Sequence, residues 1–273
     1  MTTDKRQSIR REEASIDGMR VSYWTGGTGQ PLVLIHGVAS DSDFHWNRVL
    51  KRLSARFVVY APDLPGYGAS APLKSPTLIG YVDWLQDFLE FNKLNKAILV
   101  GHSMGASIAR VLAAKSPALV AGVVLVDGGH VPNVSTTVKV LMKLPLVANK
   151  SLNKMRQLAF TDARIKSMVH NQSLANEEFV ADVKRHEAQF IPIVRRMLIT
   201  PSPAQLTPEC PVLVLWGEHD KFENEASGKQ LAEMIPNAVF QSIKGAGHMS
   251  MLDNPKDFID LIFEYADQLK EKK

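Results

Sequence analysis

Short, continuous apolar runs alternate with longer stretches in which apolar positions recur every three or four residues. The runs fall at residues 31–35, 57–60, 96–100, 120–126, 211–216 and 238–243. Runs this short and rich in Val, Leu and Ile are the pattern of strands buried on both faces. Helical spacing falls at 77–94, 106–115, about 223–235 and 253–270. Asp17-Gly18, between the extended halves of 15–23, marks a hairpin turn. Strand and helix in alternation predict βα units and a mostly parallel sheet.

The rhythm changes near residue 130. Between 131 and 200 there is no strand pattern, while Phe179, Val183, His186, Phe190, Ile193 and Met197 keep helical steps. Pro192 is expected to kink or split that helix, because proline removes a ladder N–H and crowds the preceding turn. The strand pattern returns at 211. Residues 131–208 are therefore expected to form a helical cap inserted into one core domain built from 1–130 and 209–273. A simple βαβ crossover needs far fewer residues. Leu141, Met142, Leu144, Leu146, Val147, Leu152, Met155, Leu158 and Phe160 lie in this segment. Most are expected to pack against the core, with a few lining an apolar acyl pocket.

Composition sets the class. With 273 residues, 45% of them hydrophobic, the chain can bury a sizeable core without staples. The one cysteine, Cys210, allows no intramolecular disulfide, which fits a reducing compartment. The opening MTTDKRQSIRREE is polar and lacks the apolar stretch of a secretory signal, and no run approaches membrane-span length. A cytoplasmic protein without stable membrane insertion is the expectation. The net charge of +4 is too small to imply nucleic acid, and neither zinc-ligand spacing nor an RNA-binding signature is present. The charge is uneven, however. Residues 131–200 hold eleven Lys or Arg against five Asp or Glu. Lys139, Lys143, Lys150 and Lys154 stand beside apolar residues, which suggests attraction of anionic substrates or membrane surfaces.

Candidate chemistry begins at Gly101-His102-Ser103-Met104-Gly105. An apolar strand precedes this G-x-S-x-G segment and a small-residue helix follows it, the context of a nucleophile elbow. A sharp turn there lifts the Ser103 hydroxyl clear of the backbone, at a helix N-terminus that favours negative charge. A serine hydroxyl needs a base to take its proton. His248 follows the last strand in the glycine-rich loop Gly245-Ala246-Gly247, where it can swing over the sheet's carboxyl edge. The base in turn needs an acceptor that fixes its tautomer. Asp220 and Asp127 both follow strands; the chain order Ser…Asp…His favours Asp220. An oxyanion needs two N–H donors, and position assigns these to the backbone of Met104 and of Val38. His36 and His102 read as structural, packing beside the elbow. None of this chemistry requires a metal or organic cofactor.

LVLIHG (32–37), APDLPGYGAS (61–70), LVGHSMGAS (99–107), LVLWGEHD (213–220) and GAGH (245–248) together resemble the α/β-hydrolase family. The resemblance spans most of the chain outside 131–208. It implies an α/β-hydrolase fold: an eight-stranded, mostly parallel sheet flanked by helices, with a cap over the pocket. Carried over by position, nucleophile, acid and base fall on Ser103, Asp220 and His248. Haloalkane dehalogenases and epoxide hydrolases place an aspartate where this chain has Ser103, and residues 131–200 contain no tyrosine of the kind epoxide hydrolases use. DLPGYGAS and GHSMGAS look like the carbon–carbon hydrolases of aromatic meta-cleavage pathways. The loop Gly37-Val38-Ala39-Ser40-Asp41 departs from the Ser-Gly-Pro-Gly-Ala type of those enzymes. The resulting expectation is hydrolysis of a carboxylic ester or similar apolar acyl compound through an acyl-serine intermediate. A slow, receptor-like member of the fold, or a carbon–carbon hydrolase, perhydrolase or lyase, would use the same residues.

Overall fold

The computed structural model describes residues 8–131, 135–200, 203 and 206–271. The expected polar start at 1–7, and residues 132–134, 201–202 and 204–205 of the expected cap, lie outside the described residues. Eight strands form one sheet: β1 (Arg10–Ile16), β2 (Met19–Gly26), β3 (Gln30–Ile35), β4 (Phe57–Pro62), β5 (Ala97–His102), β6 (Val120–Val126), β7 (Val212–Gly217) and β8 (Ala238–Ile243). Their order is β1-β2-β4-β3-β5-β6-β7-β8. The β1–β2 and β2–β4 pairs are antiparallel and the rest parallel. The hairpin turns on Asp17 (φ 49°) and Gly18 (φ 77°). Two consecutive left-handed residues match the right-handed twist of the strands they join.

The central strands are almost wholly apolar because both faces of the sheet are covered. Leu32 and Leu34 pack into one layer, Val33 and Ile35 into the other. The first layer contains the helices Ser42–Trp46, Leu50–Leu53 and Pro255–Glu271; the second contains Leu78–Phe91, Met104–Lys115 and Glu225–Met234.

Between β6 and β7 the described residues form helices only: Thr136–Leu141, Pro145–Ala159, Asp162–Lys166, the 3-10 turn Gln172–Leu174, Glu177–Arg185 and Glu187–Ile199. Two expectations need correction here. The helical pattern of 179–197 does break, but at His186 rather than at Pro192, which lies inside the second helix. Nδ1 of His186 sits 3.2 Å from the Asp182 carbonyl, the acceptor its own amide would take in a continuous helix; that amide bonds Val183 instead. The ladder thus breaks at His186, before the proline is reached.

The second correction concerns the apolar residues of 141–160. Leu152 is buried, and Met142 and Phe160 are half-buried, while the other six are exposed. Helix Pro145–Ala159 buries only the narrow stripe of Ala148 and Leu152. An ion pair between Arg156 and Glu187 (2.8 Å) ties it to helix Glu187–Ile199. The apolar composition of this segment did not reveal which of its residues are covered.

Candidate active site

Ser103 stands at the junction of β5 and helix Met104–Lys115 with φ 52° and ψ −116°. A non-glycine residue rarely adopts a positive φ, and a residue held there by its surroundings stores strain. The surroundings are specific. The Ser103 amide donates to the Val126 carbonyl at 2.9 Å. A side chain at Gly101 would overlap the Gly105 carbonyl, and one at Gly105 would overlap the Ile35 carbonyl. The two glycines of the motif therefore let helix, elbow and neighbouring strand meet closely enough to hold the serine in this turn.

His248 lies in the loop after β8. Nδ1 of its ring is 2.8 Å from Oδ2 of Asp220, and both side chains are buried. The other carboxylate oxygen of Asp220 accepts from the amides of Phe222 (2.7 Å) and Glu223 (3.1 Å). These contacts fix the carboxylate and leave Oδ2 for the ring, so Nδ1 carries the hydrogen and Nε2 is free to act as a base. Phe222 stacks on the imidazole (5.0 Å between centroids, 23° between planes). Burial opposes protonation of His248, but the Asp220 hydrogen bond and charge outweigh it, with Asp127 and Glu223 adding. Its pKa is raised above the ordinary imidazole value.

Asp127, the other strand-end carboxylate, does not reach the ring. It accepts from the Gly217 amide and from the Ser250 hydroxyl, each at 2.6 Å. Complete burial, with a smaller contribution from Asp220, pushes its pKa up to about 8.

Ser103 and His248 face the same cavity of about 210 Å³, whose walls also include Val38, Phe160, Met168 and Phe190. No direct hydrogen bond joins the Ser103 hydroxyl to His248 in this structure. Catalytic hydrogen bonds are commonly long before substrate is bound. Met104 opens its helix, so its amide precedes the first intrahelical bond. Val38 lines the cavity, and among the described residues its amide has no hydrogen-bond acceptor. Both amides assigned to the oxyanion site are thus uncommitted.

His36 and His102 are buried, and burial lowers the pKa of each. His36 accepts from the Leu64 amide at Nε2 (2.8 Å) and donates from Nδ1 to the Gly37 carbonyl (2.7 Å). His102 donates from Nε2 to the backbone carbonyl of His248 (2.8 Å), bracing the loop that carries it. Nδ1 of His102 is buried without a partner.

Three contributors escaped sequence reasoning. Phe222 packs on the imidazole. Arg164, the one permanent charge among the cavity walls, lies 3.8 Å over the Phe222 ring and donates to the Lys221 carbonyl at 3.0 Å. Asp253 accepts from the amides of Gly247 (2.8 Å), His170 (2.9 Å) and Asn171 (2.8 Å), tying the His248 loop to the segment between β6 and β7. None has a local spacing signature, since each contact joins residues distant in the chain. Among the described residues, no group of three or more His, Cys, Asp or Glu is placed to hold a metal ion. No helix there is long and apolar enough to cross a membrane.

A serine on a strand-to-helix elbow, beside a histidine–aspartate pair at the carboxyl edge of an eight-stranded sheet, defines the α/β type of hydrolase. The chain belongs to the alpha/beta hydrolase family, whose model matches residues 32–261. It is 30% identical to an uncharacterised hydrolase of Bacillus subtilis over 94% of this chain and 96% of that one. It is 24% identical to the 2-hydroxy-6-oxo-6-(2'-aminophenyl)hexa-2,4-dienoic acid hydrolase of Metapseudomonas resinovorans, covering 91% of this chain and 88% of that one. Among solved structures, a candidate lipase of Acinetobacter baumannii superposes with a TM-score of 0.80 at 25% identity, covering 97% of this chain and 93% of that one.

Proposed function

We propose that this hydrolase cleaves carboxylic esters or similar small, apolar acyl compounds through an acyl-Ser103 intermediate, with residues 131–208 acting as a cap over the site. The observation that carries the reading is the Asp220–His248 hydrogen bond beside a strained serine in one apolar cavity. Nε2 of His248 takes the Ser103 proton as the hydroxyl oxygen attacks the acyl carbon. The amides of Val38 and Met104 receive the negative charge that develops on the carbonyl oxygen. The imidazolium, held by Asp220, protonates the departing alcohol as the acyl–oxygen bond breaks. Water then gives a proton to the same nitrogen and attacks the acyl carbon, and that proton passes to the Ser103 oxygen as the acyl–Ser103 bond breaks and the acid leaves.

The cavity's size favours short acyl groups. About 210 Å³ is the space of roughly seven waters, below the roughly 300–1,000 Å³ common for drug-sized ligands. A second reading, carbon–carbon cleavage of an acidic ketone, is favoured by the Metapseudomonas relative, a hydrolase of a 2-hydroxy-6-oxo dienoic acid, and by Arg164 on the cavity wall.

The test is a panel of p-nitrophenyl esters of graded chain length, with a fluorophosphonate probe of the serine. Wild-type protein should turn over short esters many times and label at Ser103. Ser103→Ala should do neither while keeping its circular dichroism spectrum. Ester turnover retained by Ser103→Ala would overturn the assignment.

A further inference from the structure

Eight of the twelve exposed large hydrophobic residues of the described chain lie in one segment, helices Thr136–Leu141 and Pro145–Ala159 and the turn between them. Leu146 is 87% exposed and Leu158 63%, and Val140 and Leu144 are also uncovered. Such clustering departs from the scattered single apolar residues of an ordinary protein surface. The polar residues between them are equally one-sided. Residues 136–159 hold Lys139, Lys143, Lys150, Lys154 and Arg156 and no Asp or Glu. That is +5, against +4 for the whole chain, so the remainder nets −1. Arg156 is engaged with Glu187, but none of the four lysines forms an ion pair among the described residues. Leu146, Lys150, Lys154 and Leu158 recur every four residues and so share one stripe of the helix, opposite the buried Ala148 and Leu152.

We infer that this surface docks on anionic lipid bilayers, lying in the interface without spanning it. Interleaved leucines and lysines suit that occupant. Lysine stems lie along apolar surface while their ammonium groups reach the headgroups, and leucines enter the acyl boundary. A protein interface has the opposite composition, with lysine depleted at its centre. A second copy of the same face would bring two cationic surfaces together with no acid on either. The position also has a use. A groove of about 670 Å³ runs beside this surface past Met155 and Leu158, and Ala159, Arg164 and Phe190 line both it and the cavity that contains Ser103. An apolar compound dissolved in the bilayer would therefore meet the groove that adjoins the cavity. Docking itself does not depend on the proposed ester chemistry.

The experiment is co-sedimentation of the full chain with vesicles. One set is an equal mixture of phosphatidylglycerol and phosphatidylcholine, the other phosphatidylcholine alone, each at low salt and at 0.5 M NaCl. Wild-type protein should partition onto the anionic vesicles at low salt and be released at high salt, where charges are screened within a few ångströms. The double substitution Lys150→Glu and Lys154→Glu should weaken partitioning at least about twentyfold, from roughly fivefold for each lysine lost. Leu146→Ser should weaken it about tenfold. Turnover of a water-soluble p-nitrophenyl ester should stay within about twofold in both, showing that the variants fold. Three results would each overturn the inference: no partitioning at low salt, equal partitioning onto both vesicle types, or binding indifferent to charge reversal. A concentration-dependent dimer that Leu146→Ser dissolves would show that a second copy covers this face, and would overturn it too.

Discussion

On the proposed mechanism, Asp220 and Asp127 differ in what an amide in place of the carboxylate would do. In Asp220→Asn the side-chain oxygen stays with the amides of Phe222 and Glu223, which bond one oxygen of the native carboxylate. The new NH2 group then occupies the second position, 2.8 Å from Nδ1 of His248 in the native protein. An N–H aimed at Nδ1 forces that nitrogen to accept, so the ring proton moves to Nε2. The base is lost, and so is the charge that stabilises the imidazolium. Loss of tautomer control in a serine triad lowers kcat by roughly 10⁴, about 5 kcal/mol at 1.36 kcal/mol per decade.

Asp127→Asn should be mild. Its oxygen can still accept from Gly217 and its NH2 can donate to the Ser250 hydroxyl, so both native partners remain satisfied. Burial pushes the Asp127 pKa up to about 8 and so favours its neutral form, which the neutral amide resembles. Its kcat should stay within about threefold of wild type. The assay is initial-rate kinetics on a short p-nitrophenyl ester at pH 7, with thermal melts to confirm folding. If Asp127→Asn lost more activity than Asp220→Asn, the carboxylate assignment would be refuted. The melts carry a second expectation. The folded state holds the Asp127 proton more tightly than the unfolded chain, so this group lowers stability as pH rises from about 4 to about 8. The Tm advantage of Asp127→Asn should grow across that window.

Three further outcomes are expected. The acid limb of kcat/KM should lie above the ordinary imidazole pKa, since the rate needs neutral His248 and Asp220 raises its pKa; a limb below pH 6 in a pH–rate profile would contradict this. Asp253→Ala removes the shared acceptor of three amides and should cost about 1–3 kcal/mol, several degrees in Tm. It should also lower kcat more than it raises KM, because the His248 loop loses its tether. Gly105→Ala drives a methyl group into the Ile35 carbonyl, so calorimetry should show a loss of at least ~4 kcal/mol, or about 8 °C, if the protein folds at all.

The fold was legible wherever local chemistry and tertiary role coincide. Residues 120–126 read as a buried strand because burial on both faces leaves no polar position. Gly101 and Gly105 marked the elbow because the helix and strand approach too closely there for any side chain. The start of helix Leu78–Phe91 is fixed by Thr77, whose hydroxyl accepts from the Gly80 amide, and this boundary lies within a residue of the periodic pattern. What the pattern could not carry was contact between distant segments. Pro192 is a strong local breaker, yet the helical pattern breaks first at His186, whose ring reaches Ser40, distant in the chain. Leu146 and Leu158 have the spacing of buried residues, but only neighbours decide burial, and these residues have none on that side. Phe222 stacks on the imidazole, Arg164 packs on Phe222 and Asp253 holds the His248 loop, each from a different region of the chain, and no spacing rule links them.

The two aspartates show how much rests on loop geometry. β6 and β7 are adjacent, and each is followed by a carboxylate at the same edge of the sheet. Asp127 comes directly after its strand, with φ 46°, and its side chain turns back to the Gly217 amide at the end of β7 and to Ser250, two residues beyond His248. It fastens the two strand ends to the helix that follows the base. Asp220 lies three residues past its strand, far enough for its loop to double back and offer one oxygen to two amides and the other to the ring. Burial of Asp127 near Asp220 favours its neutral form. The same residue type, at equivalent ends of neighbouring strands, thus serves as a buried brace in one case and as the partner of the proposed base in the other. The length of the intervening loop determines which.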